Sequence, residues 1–376
     1  MRIGLNLLFM LPGVVGGTET YASSLINALE KVDNESTYYV FVNRESASFA
    51  LPSSRQFHRI VCRVRAARRP MRYSWEQLVL PAQVRKQRLD LLHSLGYVQP
   101  LRLRCKSVVT LHDLNYCNLG SSMPRTKRIA LRYFVTRSAQ VADHIITVSG
   151  FSKRQITDSL GIRPEKVTVT YNAVKKAPSN KASISEIGRR YGVVQPYILG
   201  LSSQSPHKNI EGLVRAFEAI KSRKNGGLKL VLAGHSPGNS GQLDRVIRAA
   251  GSCNDIILTG YVSEAVLAGL YSHAEVFVFP STYEGFGIPV LEAFAHGTPV
   301  ACSRVAALPE VAGNAAVYFD PLSTHEMASA VSEILSDGPL RQELIRRGSA
   351  RVESFSWENT ARKTLDIYKT ILNDNT

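Results

Sequence analysis

The chain has 376 residues, 44% of them hydrophobic, which is a natural length for two domains and ample for two cores. Its five cysteines, Cys62, Cys105, Cys117, Cys253 and Cys302, are scattered and make no Cys-x-x-Cys pair. That argues against a disulfide framework or a cysteine zinc site, and for a reducing compartment. The charge is lopsided: residues 1–180 carry 27 Lys and Arg against 11 Asp and Glu, net +16, whereas residues 181–376 carry 19 of each. No acid falls between Glu45 and Glu76, while Arg55, Arg59, Arg63, Arg65, Arg68, Arg69 and Arg72 do. A second basic cluster is Arg125, Lys127, Arg128, Arg132 and Arg137. A first half this basic predicts an anionic partner: a lipid surface, a phosphate-bearing substrate or nucleic acid.

No stretch reaches the ~18 apolar residues of a membrane span. Arg2 followed by Ile3 to Val15 imitates a signal peptide, but it lacks a small-x-small cleavage site. It reads better as a first strand, Ile3–Leu8, and its loop. Gly16-Gly17 then make a turn, a candidate anion nest, and Thr18 or Thr20 would cap a helix to Leu29. The alternation continues with strand Tyr38–Val42, helix Glu76–Arg88, strands Leu89–Ser94 and Ser107–Leu111, and helix Thr126–Ala142. Strand His144–Val148, helix Ser152–Leu160 and strand Val167–Tyr171 close the first half. Such alternation means a parallel sheet covered by helices. His112-Asp113 ends one strand, where a polar pair would point toward a ligand; His112 could equally be satisfied by Asp113 or by backbone.

Residues 173–196 are polar, with Pro178, Ser179 and Asn180, and read as a linker. Beyond it the strands are Tyr197–Leu201, Leu228–Ala233, Ile256–Leu258, Val276–Phe279, Val300–Cys302 and Val317–Phe319. Between and after them come helices Ile210–Lys221, Gln242–Ala250, Glu264–Tyr271, Val290–His296 and Thr324–Leu335, then Leu340–Arg351 and Trp357–Leu372. The expected domains are 1–172 and 197–355, both Rossmann-like and facing a cleft.

The most informative stretch is Phe279-Pro280-Ser281-Thr282-Tyr283-Glu284-Gly285-Phe286-Gly287-Ile288-Pro289-Val290-Leu291-Glu292. It reads strand, glycine turn, helix. Gly285 and Gly287 allow a tight turn and close approach of a ligand, and Pro289 suits a helix start. The helix is apolar except for Glu292 and His296, so Glu292 needs a partner. Two carboxylates, Glu284 and Glu292, thus flank a helix N-terminus suited to phosphate. The residues alone also permit a Glu292–His296 pair at i,i+4 with Glu284 in an exposed loop.

Glu284-x7-Glu292 around Gly285-Phe286-Gly287 resembles the signature of the retaining glycosyltransferases of family GT4, and the rest of the chain agrees along nearly its whole length. The resemblance implies the α/β GT-B fold, with residues 356–376 forming a helix that crosses back to the first domain. It implies donor contacts at Gly16, Gly17, Ser202, Ser203, Lys208, Tyr261, Val262, Glu284, Gly285, Phe286, Gly287, Ile288 and Glu292, with catalytic work at Glu284, His112 and Lys208. In it Lys208 carries the diphosphate, Glu292 the ribose hydroxyls, Glu284 the sugar hydroxyls, and His112 faces the sugar. Tyr261-Val262 would meet the base through backbone groups. The family often has Arg where this chain has Ser202, so the clamp keeps one positive charge rather than two.

There is no Asp-x-Asp pair to hold a divalent ion, so no metal cofactor is expected. Retention in the family is described as same-face attack within a short-lived ion pair. The flanking residues look most like bacterial mannosyltransferases that use GDP-mannose and build surface polysaccharide on a lipid carrier. The expected partners are a nucleotide-sugar donor, a lipid-linked or oligosaccharide acceptor and an anionic membrane, with the protein cytoplasmic on the inner face of the membrane. Alternatives are a UDP- or dTDP-sugar donor, a nucleotide-sugar epimerase or hydrolase, and a basic nucleic-acid-binding module; no nucleic-acid motif is recognisable.

Overall fold

The computed structural model describes residues 1–14, 16–115, 125–175, 180–203, 205–222, 227–234 and 243–373, without the side chains of Arg125 and Lys127. Cys117, Pro178, Ser179 and Gln242, singled out above, lie outside the described residues. The chain divides into two units, Met1–Asn172 with Ser356–Thr376, and Ala173–Phe355.

The first unit is built on β1 (Arg2–Asn6), β2 (Thr37–Val42), β3 (Phe57–Val61), β4 (Leu91–Ser94), β5 (Lys106–Thr110), β6 (His144–Thr147) and β7 (Val167–Val169). All neighbours are parallel and the order is β3-β2-β1-β4-β5-β6-β7. Ile3 of β1 lies opposite both Tyr38 and Leu91, so the first strand is central. Central strands such as β4 are buried on both faces, which is why they read as apolar runs. β3 was not anticipated: it is an edge strand whose His58 and Arg59 face solvent, so its sequence lacks that run.

Two local expectations are corrected. The helix expected over Glu76–Arg88 is two helices, Arg69–Leu78 and Leu80–Lys86, meeting at Val79. Pro81 supplies no N–H, so it suits the opening turn of a new helix rather than the middle of a long one. The helix Gly17–Val32 begins after Gly16, with φ 58°, and not at a threonine cap. Glu19 in its first turn accepts a hydrogen bond from the Gly13 N–H at 2.9 Å instead.

The last helix, Trp357–Asn373, belongs to the first unit and packs on Gly17–Val32. Lys31 pairs with Glu358 at 2.9 Å, and the Thr360 hydroxyl bonds the Tyr171 carbonyl. Inside, His93 Nδ1 meets the Tyr368 hydroxyl at 2.5 Å and Nε2 meets Thr110 Oγ1 at 2.7 Å. Burial pushes the His93 pKa down to about 3, so the ring is neutral and the network is uncharged.

The second unit is built on β8 (Tyr197–Leu201), β9 (Lys229–Ala233), β10 (Ile256–Gly260), β11 (Val276–Phe279), β12 (Val300–Ser303) and β13 (Ala316–Phe319), again parallel, in the order β10-β9-β8-β11-β12-β13. Helices Ile210–Lys221 and Thr324–Ser336 bury Leu213, Phe217, Met327 and Val331 against it. The linker expected over 173–196 is part of this unit. It carries the helix Ile184–Tyr191, closed by a reciprocal Ser183–Glu186 capping box and ended by Gly192 at φ 70°. The Ala182 N–H donates to the Ala265 carbonyl at 3.0 Å, and Ile187 is buried. So short a helix offers only one buried residue, and the polar remainder disguised it.

Candidate active site

In each sheet the chain leaves the first strand in one direction and returns on its other side. β1 lies between β2 and β4, and β8 between β9 and β11. Loops beyond the carboxyl ends of such a pair diverge and leave room for a ligand. In the second unit those two loops carry Lys208 and Glu284.

The β8 loop turns through a short 3-10 segment, Pro206–Lys208, and ends at Asn209 in the left-handed region, φ 51°. Asn tolerates that conformation, and its amide fixes the turn by donating to the Pro321 carbonyl at 2.7 Å. The β11 loop is stitched to it: the Thr282 N–H donates to the His207 carbonyl at 2.7 Å, and the Thr282 hydroxyl to the same oxygen at 3.3 Å. This stitching brings Lys208 Nζ to 2.6 Å from Glu284 Oε1. Both side chains are largely covered, at 24% and 13% exposed, and the ammonium also sits 5.1 Å from the centre of the Phe279 ring. Glu284 is therefore not a solvated loop residue.

After Glu284 the chain passes Gly285, Phe286 and Gly287 into the helix Ile288–Ala295. Gly287 has φ 107°, and a Cβ there would lie 2.6 Å from a Leu308 methyl, so only glycine fits. Phe286 is buried with its ring edge-on to Phe355, which anchors the turn. Pro289 takes the second helical position, where an N–H would have no partner within the helix. The helix buries Val290, Leu291, Ala293 and Phe294, leaving Glu292 partly exposed.

Glu292 finds its partner outside its own helix. Its Oε2 accepts the Tyr271 hydroxyl at 3.1 Å. Burial pushes its pKa up, and the Tyr271 hydrogen bond and the more distant Lys175 charge oppose that rise. His296 does not pair with the carboxylate. Its Nδ1 bonds the backbone carbonyl of Glu292 at 2.7 Å and its ring stacks on Tyr271. Tyr271 was not singled out in the sequence; it sits inside an apolar helix, Glu264–His273, and its only signal was a hydroxyl on a buried face.

Among the described residues, two hydroxyls at strand ends of the second unit have no hydrogen-bond partner: Ser202 Oγ after β8 and Ser281 Oγ after β11, both buried. Ser203 is used locally, its oxygen accepting the Ser205 N–H at 3.1 Å. Gln204 lies outside the described residues. Tyr261, after β10, is 83% exposed, while its neighbour Val262 is buried.

In the first unit, Gly16 and Gly17 follow β1 and open the first helix. His112 follows β5. Its Nε2 donates to the Leu95 carbonyl at 3.0 Å, and its ring packs edge-on against Tyr21. Burial lowers its pKa to about 4, so it is neutral at pH 7. Backbone thus satisfies one nitrogen, as the simpler of its two readings has it.

Two parallel sheets covered by helices, in one chain, are the architecture of the GT-B class of glycosyltransferases. The profile described as "Glycosyl transferases group 1" matches residues 192–351, and "Glycosyltransferase Family 4" matches residues 15–177. O-antigen chain mannosyltransferase B of Escherichia coli is 31% identical over 280 residues, covering 74% of this chain and 73% of that protein. Serotype-specific mannosyltransferase WbdA of Escherichia coli is 29% identical over 239 residues, 61% of this chain but only 29% of WbdA. Sucrose-phosphate synthase from Thermosynechococcus elongatus shares the fold over 100% of both chains, with TM-score 0.81 at 19% identity. The chain belongs to the family 4 glycosyltransferases.

Proposed function

We propose that the protein transfers mannose, with retention, from GDP-mannose to a hydroxyl of a lipid-linked oligosaccharide of a bacterial surface polysaccharide. The observation that carries the site assignment is the contact of Lys208 with Glu284 beside the start of the helix Ile288–Ala295. A cation that a ligand can draw from its carboxylate, near a helix N-terminus, is a place for a leaving diphosphate, whose charge grows as the glycosidic bond breaks. Glu284 then accepts hydroxyls of the sugar, and Glu292, already held by Tyr271, accepts those of the ribose. The orphaned Ser202 hydroxyl supplies a further donor near the phosphates, with Ser203 beside it. The Gly285–Ile288 backbone lines the cradle, and Tyr261-Val262 meets the base. In the first unit, Gly16-Gly17 and His112 are the donor-contact candidates that the family resemblance implies.

Mannose is favoured by the names of the two Escherichia coli relatives. Charge stabilisation by Lys208 and the helix end supports a reaction without a divalent metal. The excess of basic residues before position 180 supports a peripheral place on the inner face of the cytoplasmic membrane, and a role in nucleic-acid binding has no comparable support. Among the described residues, no helix is long and apolar enough to cross a membrane.

The test is turnover of GDP-mannose, GDP-glucose, UDP-glucose and dTDP-glucose with and without an oligosaccharide acceptor, each in EDTA and in magnesium. Acceptor-dependent release of GDP, insensitive to EDTA, is expected. Equal turnover without acceptor would make the protein a hydrolase or epimerase, and loss in EDTA restored by magnesium would overturn the metal-free mechanism.

A further inference from the structure

The first unit has a groove of ≈ 490 Å³ that none of the assignments above uses. Its walls are the helices Arg69–Leu78 and Arg125–Val141. The lining is mainly apolar: Pro70, Tyr73, Leu78, Ala130, Leu131 and Phe134, with Arg69 in the first turn of one wall. Tyr73 stacks on Phe134 at 4.9 Å, giving the groove an aromatic floor. At the rim, Leu78 is 77% exposed and Ile129 68% exposed, on a protein that has polar residues to spare. The volume is in the range of small-ligand sites. Arg69 and Leu78 are nine residues apart on one helix, so the groove runs for about 13 Å along it.

The charge around the groove is of one sign. Arg69 lines the groove and is exposed; Arg65 and Arg68, just before the same helix, and Arg132, on the other helix, are exposed too. Among the described residues none of these four has a salt bridge. The helix Arg125–Val141 contains no acid, and the only acid of Arg69–Leu78 is Glu76, which is buried. An apolar channel lined at one end by the Arg69 guanidinium, with Arg68 next to it in the chain, matches a molecule with a hydrocarbon chain and an anionic head. A bilayer surface alone would need the cations and not the channel. A soluble sugar phosphate would need the cations and not the apolar floor.

We propose that this groove holds the hydrocarbon chain of the acceptor's phosphate-bearing lipid carrier, with the arginines on its phosphate. The proposal deepens the lipid-linked acceptor reading and rests on it, but its test reads out separately. Ser74 and Ala130 line the groove from opposite walls and are exposed, so Ser74→Trp and Ala130→Trp fill it without touching the core. Binding of dodecyl phosphate, dodecanol and inorganic phosphate is measured by titration calorimetry, below micelle formation, on the full chain. Turnover is measured on a lipid-linked acceptor and on the same oligosaccharide without lipid.

Dodecyl phosphate should bind, dodecanol more weakly, and inorganic phosphate weakly or not at all. Each Trp variant should weaken dodecyl phosphate by at least roughly tenfold, since displacing even two methylenes from an apolar wall is worth that much. Each should lose turnover on the lipid-linked acceptor by a similar factor and keep the parent's turnover on the soluble one. Arg68→Ser with Arg69→Ser should erase the preference of dodecyl phosphate over dodecanol. Unchanged dodecyl phosphate binding in both Trp variants overturns the proposal, as does an equal loss on soluble and lipid-linked acceptors. A parent that transfers to soluble acceptor but binds no dodecyl phosphate overturns the groove while leaving the transferase intact. A parent inactive on every donor that still binds dodecyl phosphate in the groove overturns the transferase reading alone.

Discussion

Glu284→Gln separates the two halves of a donor substrate. In the parent the Lys208 ammonium and the Glu284 carboxylate are 2.6 Å apart, each less than a quarter exposed. Two charges ~4 Å apart at an effective dielectric constant of about 20 attract by roughly 4 kcal/mol. Partial solvation and the desolvation of both ions leave on the order of 1 kcal/mol net. A diphosphate must draw Lys208 away from that partner. Gln keeps the shape and a carbonyl acceptor but removes the charge, so Lys208 meets the phosphates uncompensated. Bare nucleoside diphosphate should therefore bind as well as in the parent or about fivefold tighter, which is the same ~1 kcal/mol. Turnover should move the other way. Charge-assisted hydrogen bonds to the sugar hydroxyls are worth ~1.5–3 kcal/mol, so the rate should fall by roughly ten- to a hundredfold. Calorimetric titration with GDP beside steady-state kinetics reads both, and Lys208→Met is the control that should weaken GDP. If Glu284→Gln weakens GDP as much as it slows turnover, the division of roles between Lys208 and Glu284 is wrong.

Glu292→Gln should weaken GDP by about tenfold, because it loses a charged acceptor for ribose hydroxyls, yet raise thermal stability, because burial already strains the ionised form. A lower melting temperature together with unchanged GDP affinity would contradict both halves. Glu76 is fully buried against Arg72, and burial raises its pKa to about 7. The native state thus keeps a proton that the unfolded chain releases near its ordinary value, so stability falls as pH rises from about 4.5 to 7 and stays low above that. Glu76→Gln should remove this slope and stabilise the first unit by up to roughly 3 kcal/mol at pH 8 but little at pH 4.5; equal shifts in melting temperature at both pH values would refute it. Replacing Arg65, Arg68 and Arg69 by Ser should cut co-sedimentation with anionic vesicles at low salt, at about 1 kcal/mol per charge near the surface. Arg72 is left in place, since it covers Glu76. Unaltered vesicle binding would make the cluster an ordinary solvated face.

Most strands were legible because a parallel strand covered on both sides must be an unbroken apolar run, as in Val276–Phe279 and Tyr197–Leu201. Legibility failed where a residue has one dry side only. β3 hides behind His58 and Arg59 because solvent takes its outer face, and the helix Ile184–Tyr191 hides because it buries only Ile187. The break at Val79 was visible as Pro81, yet an apolar period running through it outweighed one proline. The end of the chain could be read as helical from its residues, and only the family resemblance placed it on the first domain, where it lies. What ties it to the first unit is His93, 275 residues from Tyr368, and a buried histidine carries no periodic signal.

The candidate site shows the same limit more sharply. The family resemblance assigned Lys208 and Glu284 each a separate ligand group. Their direct contact was not legible, because it follows from β8 lying beside β11, and strand order is decided by how the helices pack. The contact changes the chemistry proposed for the site: the cation assigned to the diphosphate is already compensated before any ligand arrives. Ser202 and Ser281 point to the same conclusion from the opposite side. Each leaves a buried hydroxyl without a partner at the end of one of those two adjacent strands, at a cost of about 1–3 kcal/mol apiece. A fold that only had to be stable would place alanine at both positions. On the proposed function, a ligand supplies the groups that complete these two donors and takes over the cation between their loops.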